Sequence, residues 1–300
     1  MAFVGIQAGR ESLFQPQPRR DVGVNDVNAW RLNPSHRKVY DRLSLALAAG
    51  LRAAPCGLPP ADYRIAAHTE LFVKPIINLA GMAKGARALR ADQIPDEPGS
   101  FWCEKLQGEQ TSSDCLVDQG QPRWFAHTRA SDERSGARPL YWRIGVEIPH
   151  LEPILTGLVR HHLPGYTGLC NIELIDGQPV EMHLRGSNGF FDFYGPEFIR
   201  AWVALMDGQR FHPPPTAPGG YLISVFGDGP PELETPTSKA PDSGELDPKL
   251  IASAHAKGVS VQPDRSTPDR VAILRTPDLR AGLAVARALG AEIPDPSERS

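Results

Sequence analysis

Alternating apolar and polar positions predict a β-hairpin between residues 166 and 185. The first arm carries leucine and isoleucine, as expected for a buried strand, and the second arm alternates between apolar and polar residues. Between the arms stands Asp176-Gly177, a dipeptide that favours a tight hairpin turn. The alternation places four polar side chains where they can share one face of the hairpin: Glu173, Glu181, His183 and Arg185.

Two carboxylates, an imidazole and a guanidinium on one sheet face indicate a site for a divalent cation and the phosphates that it bridges. Hard cations prefer carboxylate oxygens, so the two glutamates are suitable ligands for a divalent cation. A half-exposed hairpin with a polar outer face produces the same pattern. The hairpin alone leaves both interpretations open.

Earlier in the chain, apolar residues at helical spacing predict a helix from Ser35 to Gly50. A short strand follows at residues 71–73 and ends at Lys74. The loop after Lys74 contains two glycines and Lys84. Flexible backbone beside lysines can cover nucleotide phosphates, although a solvated surface loop has the same composition.

Composition narrows the class of protein. The hydrophobic share of 41% is typical of a soluble globular chain, and the net charge of -3 gives no reason to expect nucleic-acid binding. The 4 cysteines lack metal-binding spacing, and no apolar run reaches the roughly 18 residues of a membrane span. The N-terminus lacks the pattern of a signal peptide, so we expect a cytoplasmic protein.

Five motifs follow one another between residues 33 and 195. They are the helix YDRLSLALAAGL, the strand FVKP with its loop, the segment EKL, the run GEQTSSD, and the strand pair NIEL and VEMHLR. In their order and spacing they resemble the motifs of the ATP-grasp superfamily, which includes ATP-dependent carboxylate–amine ligases. The resemblance covers about half of the chain.

The resemblance implies an α+β fold in which two α+β lobes clasp ATP, with a small C-terminal α/β appendage. It implies that the protein binds ATP and Mg²⁺ and joins an acid to an amine through an acylphosphate. The residues implied in nucleotide binding are Arg42, Lys74, Lys84, Glu104, Lys105, Leu106 and Gln110. The implied metal ligands are Glu173, Glu181 and His183, and the implied catalytic residues are Lys74 and Arg185.

This interpretation divides the chain into five segments. They are an exposed N-terminal arm (1–35), the ATP-grasp small lobe and hinge (36–105), the metal-binding lobe (106–212), a linker or long loop (213–248), and the C-terminal appendage (249–300). Only about 35 residues precede the first motif, where the superfamily has a larger N-terminal lobe. A homo-oligomer or a partner subunit could complete that lobe.

The chain departs from the superfamily pattern at three positions. Arg42 and Gln110 replace the usual lysine and glutamate, and His183 replaces the usual asparagine. These departures leave two alternatives to a ligase: a kinase or phosphotransferase on the same fold, and a degenerate nucleotide-binding module without catalysis. For a ligase we expect small-molecule or peptide acids and amines as substrates, and the sequence does not identify them.

Overall fold

Residues 2–81, 83–135, 138–187, 189–226, 246–264 and 270–291 are described by a computed structural model. At the N-terminus, strands β1 (Phe3–Val4) and β2 (Val22–Gly23) pair in parallel, and helix α1 (Asp26–Leu32) follows. Phe3 and Phe14 are buried in one apolar cluster with Trp202. The expected exposed arm at residues 1–35 therefore does not hold for these residues, because burying aromatic rings favours a packed segment.

A small antiparallel sheet follows helix α2 (Arg42–Ala48). Its strands are β3 (Ala53–Pro55), β4 (Glu70–Pro75), β5 (Arg87–Arg90) and β6 (Ser100–Glu104), in the spatial order β3-β6-β4-β5. The single helix predicted from Ser35 to Gly50 is interrupted. A 3-10 helix spans Pro34–Tyr40, and α2 begins afresh because the Asp41 side chain accepts a hydrogen bond from the backbone N–H of Ser44.

The second sheet is larger and, in the part of the chain that the structure describes, contains eight strands in the order β13-β12-β7-β8-β11-β14-β16-β15. Each neighbouring pair is antiparallel. The strands are β7 (Gln110–Asp118), β8 (Gln121–Ala130), β11 (Tyr141–Ile144), β12 (Gly168–Ile175), β13 (Gln178–His183), β14 (Gly220–Phe226), β15 (Ser260–Pro263) and β16 (Arg270–Thr276). The short strands β9 (Arg134–Ser135) and β10 (Arg138–Pro139) pair with each other beside it.

Helices cover both faces of the large sheet. They are α3 (Glu152–His162), α4 (Pro196–Met206), α5 (Pro248–Ala256) and α6 (Leu279–Ala288). On β7, Cys115 packs in the cluster that contains Leu155 of α3, whereas the next residue, Leu116, packs in the cluster that contains Phe198 of α4. Successive residues of a strand point to opposite faces, so β7 is buried on both sides.

The linker expected at residues 213–248 contains a strand of the large sheet. Strand β14 lies between β11 and β16, and its residues Ile223 and Val225 are fully buried. The linker expectation is therefore wrong for Gly220–Phe226. Its short apolar run was obscured by the many prolines and glycines on either side. Residues 227–245 of the expected linker lie outside the described residues.

The C-terminal appendage is continuous with the large sheet. Strands β16 and β15 extend the sheet beyond β14, and helices α5 and α6 share an apolar cluster with all three strands. The mixture of helices with two antiparallel sheets confirms the α+β class. Among the described residues, no helix is both long and apolar enough to span a bilayer.

Candidate active site

The paired strands β12 and β13 bring together the three side chains predicted to bind a metal. Glu173 lies directly opposite Glu181 in the ladder, and His183 is two positions further along β13. One potential ligand atom from each of the three residues lies within 4.8 Å of the others. The hairpin predicted from the two apolar arms and the Asp176-Gly177 turn is therefore confirmed, together with the shared face of Glu173, Glu181 and His183.

A residue from the N-terminal segment holds this face in place. Nδ1 of His183 lies 2.9 Å from Oδ1 of Asp26, and Nη2 of Arg185 donates a 2.8 Å hydrogen bond to Oδ2 of the same carboxylate. Asp26 is buried in the first turn of α1, next to the N-cap residue Asn25. Sequence reasoning missed Asp26, because nothing local indicates a partner 157 positions away.

The charges of the cluster strongly influence one another. Burial and the nearby charge of Glu181 raise the pKa of Glu173 to about 7. Burial also raises the pKa of Glu181, but His183 and Arg42 outweigh it and hold that pKa well below the usual range. Burial and Arg185 lower the pKa of His183, but Asp26 and Glu181 prevail and raise it to about 9.

Two cations from the small-sheet side approach β13. Nζ of Lys74, near the end of β4, donates a 3.2 Å hydrogen bond to the carbonyl of Val180. Nη1 of Arg42 donates a 3.1 Å hydrogen bond to Oε2 of Glu181, and its Nη2 contacts the carbonyl of Pro75. Both cationic side chains are buried, and burial lowers the pKa of Lys74. The structure thus brings Arg42 and Lys74 to the predicted metal ligands.

Gln110, at the start of β7, also joins the cluster. Its Nε2 donates a 3.2 Å hydrogen bond to Oε2 of Glu173, and its Oε1 accepts one of 2.5 Å from Arg134. Arg134 lies on β9, within a connection that the sequence left without a role. The amide that replaces the usual glutamate therefore links Arg134 to the carboxylate pair.

The other predicted nucleotide residues lie apart from the carboxylates. Glu104 accepts hydrogen bonds from the backbone and guanidinium of Arg52, and Lys105 forms an ion pair with Glu70. Together with the half-buried Leu106, they connect the small sheet to β7. Lys84 is exposed in the loop between β4 and β5, and no described contact joins its side chain to the cluster.

The loop after Arg185 is anchored to the large sheet by Asp114 of β7. Its buried carboxylate accepts hydrogen bonds from the backbone N–H of Ser187 at 2.9 Å, from Nδ2 of Asn171 at 2.8 Å and from the hydroxyl of Tyr194 at 3.0 Å. Burial raises the pKa of Asp114 to about 6, although these hydrogen bonds oppose the shift. Asp114 therefore fixes the chain immediately beyond the cluster.

Comparison with known proteins identifies the fold. No protein-family model matches the chain, and no curated protein matches it. Among solved structures, it is similar to phosphoribosylamine–glycine ligase from Thermotoga maritima, with 15% identity and a TM-score of 0.58 over 95% of this chain and 86% of that one. It is also similar to an ADP complex of N5-carboxyaminoimidazole ribonucleotide synthetase, with 11% identity and a TM-score of 0.58 over 85% of this chain and 71% of that one.

A third similar structure is the L-amino acid ligase from Bacillus licheniformis, with 12% identity and a TM-score of 0.56 over 94% of this chain and 81% of that one. The chain has the ATP-grasp fold. The fold predicted from five short motifs is confirmed, and the similarity extends well beyond the half of the chain in which those motifs occur.

Proposed function

We propose that this protein is an ATP-dependent ligase that joins a carboxylate to an amine through an acylphosphate. One observation carries the proposal: Arg42 and Lys74 from the small-sheet side meet Glu173 and Glu181 of the large sheet within an ATP-grasp fold. The names of two similar structures, both ligases, support the reaction class, and the ADP complex of the third supports a nucleotide substrate.

The residues of the cluster fit a divalent cation bound with ATP, for which the sequence resemblance implies Mg²⁺. The carboxylates of Glu173 and Glu181 face each other across the β12–β13 pair, and the charge of Glu181 raises the pKa of Glu173. The charges of His183 and Arg42 lower the pKa of Glu181. Glu173 and Glu181 would hold the ion, and the ion would neutralise phosphate charge as the phosphoryl group is transferred.

The remaining chemistry is positioning and charge neutralisation by this chain. The substrate carboxylate attacks the γ-phosphorus, the bond from that phosphorus to the bridging oxygen breaks, and ADP leaves. The amine then attacks the acyl carbon, the bond from that carbon to the bridging oxygen breaks, inorganic phosphate leaves with that oxygen, and the nitrogen gives up a proton to solvent. Lys74 and Arg42 would bind phosphate oxygens, while Arg185, held by Asp26, would stabilise the charge of the transferred group.

The ion pair between Arg42 and Glu181 favours one alternative, a binding module without catalysis. In the structure, this arginine neutralises a carboxylate that the ligase needs as a metal ligand. In a ligase, ATP and the cation must displace that contact. In a degenerate module the contact would persist after the nucleotide binds.

Release of ADP tests the proposal and separates it from the alternatives. The protein is incubated with ATP and a divalent cation, and panels of acids and amines are added singly and in pairs. A ligase releases at most about one ADP per chain with the acid alone and turns over repeatedly only when the amine is also present, whereas a kinase turns over with a single acceptor. Nucleotide binding without ADP release under any combination would overturn the ligase proposal in favour of the binding module.

We also propose small-molecule or peptide substrates and a cytoplasmic location. The four cysteines are free and buried, which fits a reducing compartment.

A further inference from the structure

We propose that Glu173, Glu181 and His183 form a three-ligand cation site that prefers Mn²⁺ or a similar transition-metal ion to Mg²⁺. This inference rests on the proposed function, because it concerns the ion that would accompany ATP. It keeps the three ligands expected from the sequence and differs from that expectation in the preferred ion, because the third ligand is an imidazole nitrogen.

The geometry of the three side chains suits a single ion. Their ligand atoms lie within 4.8 Å of one another, and Oε1 of Glu181 lies 3.4 Å from Nε2 of His183. With metal–ligand bonds of about 2.1 Å, two atoms at that separation subtend roughly 108° at the ion, close to the tetrahedral value. Two such bonds span at most about 4.2 Å, so Glu173 would have to approach the other two ligands when the ion binds.

The orientation of His183 provides an independent indication of a ligand. A carboxylate can only accept hydrogen bonds, so Nδ1 of His183 carries the proton that faces Asp26, and the raised pKa of His183 leaves a second proton on Nε2 while no ion is bound. Nε2 then faces the two glutamates. It is buried and has no hydrogen-bond partner, since its contact with Glu181 lacks hydrogen-bond geometry. A bound cation would replace the Nε2 proton between the imidazole and Glu181, and it would satisfy a buried atom that makes no hydrogen bond.

Asp26 gives this histidine the support that metal-binding histidines usually have. In metal sites, a carboxylate commonly accepts the N–H of the coordinating imidazole, which fixes the tautomer and makes the other nitrogen more basic. Here Asp26 is itself held by Arg185 and buried at the start of α1. Asp26 is thus a positioning residue for His183.

The donor set determines the preference. Mg²⁺ favours oxygen ligands in near-ideal octahedral geometry and retains its water, whereas an imidazole suits transition metals. Mn²⁺ accepts carboxylate oxygens, and di-manganese carboxylate proteins bind it with glutamate and histidine together. Replacing His183 by asparagine would offer an amide oxygen from the same strand position and so restore an all-oxygen site.

The test uses Mn²⁺ alone with the full-length protein, followed by electron paramagnetic resonance. We expect one bound Mn²⁺ per chain, a nitrogen coupling typical of a directly bound imidazole in pulsed spectra, and at least about 10-fold weaker binding of Mg²⁺ in competition. His183→Asn should remove the coupling and bring the two affinities closer together. His161→Asn, which alters an exposed histidine at the end of α3, serves as the matched control.

Asp26→Asn should weaken Mn²⁺ binding by about 10- to 100-fold, since it removes the carboxylate behind the imidazole. Absence of nitrogen coupling in the unaltered protein, or equal competition by Mg²⁺, would overturn the inference, and neither result depends on how a variant folds. Binding of a non-hydrolysable ATP analogue is measured on the same sample. Nitrogen-coupled Mn²⁺ without nucleotide binding would uphold the metal site and defeat the ligase proposal.

Discussion

The guanidinium of Arg42 lies 3.1 Å from the carboxylate of Glu181, although 139 positions separate the two residues in the chain. Arg42 begins helix α2, and Glu181 lies on the edge strand of the large sheet. Both side chains are largely buried, so each charge depends on the other for compensation. A metal ion that binds the Glu181 carboxylate would compete with Arg42 for it. Arg42 would then need negative charge from another group, and the phosphate oxygens of a bound nucleotide would provide it.

Replacing Glu181 by glutamine should reduce turnover by at least about 10²-fold, since the loss of a direct ligand exceeds the usual effect of changing its surroundings. The variant should be less stable by about 3–5 kcal/mol, because Arg42 loses its compensating charge, although glutamine keeps the shape and can accept the hydrogen bond from Arg42. Circular dichroism establishes that it is folded before turnover is compared. Turnover is measured with the co-substrates found in the ADP-release experiment. Glu152→Gln, at an exposed glutamate of α3, is the control. Equal turnover in both variants would contradict the metal assignment.

Replacing Lys74 by methionine should weaken ATP binding by roughly 10- to 150-fold, corresponding to about 1.5–3 kcal/mol for lost hydrogen bonds to a charged group. Methionine fills the buried space of the lysine stem beside Phe101 but carries no charge. Calorimetric titration with ATP measures the change. Lys257→Met, which alters an exposed residue after α5, should bind ATP like the parent. Matching affinities for all three proteins would remove Lys74 from the phosphate site.

Asp114 should make the folded protein less stable as the pH rises from about 4 to 6. Burial raises its pKa to about 6 in the folded state, so within this range the folded state binds more protons than the unfolded chain. The shift corresponds to about 3 kcal/mol. Urea unfolding from pH 4 to 7 measures the total loss, to which the raised pKa of Glu173 also contributes, and the difference between the parent and Asp114→Asn gives the part due to Asp114. Parallel pH profiles for parent and variant would show that Asp114 does not titrate in this range.

Replacing Gly282 by alanine should lower the free energy of unfolding by about 1–3 kcal/mol. A Cβ atom at this position in α6 would lie 2.6 Å from Cδ1 of Ile223 and 2.7 Å from Cγ2 of Thr276, both on strands of the large sheet. Gly157 of α3 has open space around the same position, so Gly157→Ala should be neutral or stabilise by up to about 1 kcal/mol. If the two variants unfold alike, α6 does not pack closely on the sheet.

The carboxylate face could be predicted because alternation along a strand is local. The order of the motifs was enough to predict the fold and to place Arg42 and Lys74 near the carboxylates, because that order reflects the path of the chain through the two sheets. Asp26 could not be predicted, because its contact with His183 joins distant segments and depends on how α1 packs. Strand β14 was missed for a different reason: a short apolar run between prolines carries a weak periodic signal.

The position of Asp26 also constrains the order in which the native state can form. Its partner His183 is synthesised 157 residues later, which takes roughly 8–30 s at the usual rate of translation. Throughout that interval the Asp26 carboxylate lacks both of its cationic partners, so α1 cannot complete its contacts with His183 and Arg185. The first helix to leave the ribosome can pack early on β2 and the Pro34–Tyr40 helix, but it reaches its full set of native contacts only after β13 is made. A nascent chain halted before β13 should therefore leave α1 more accessible to proteases.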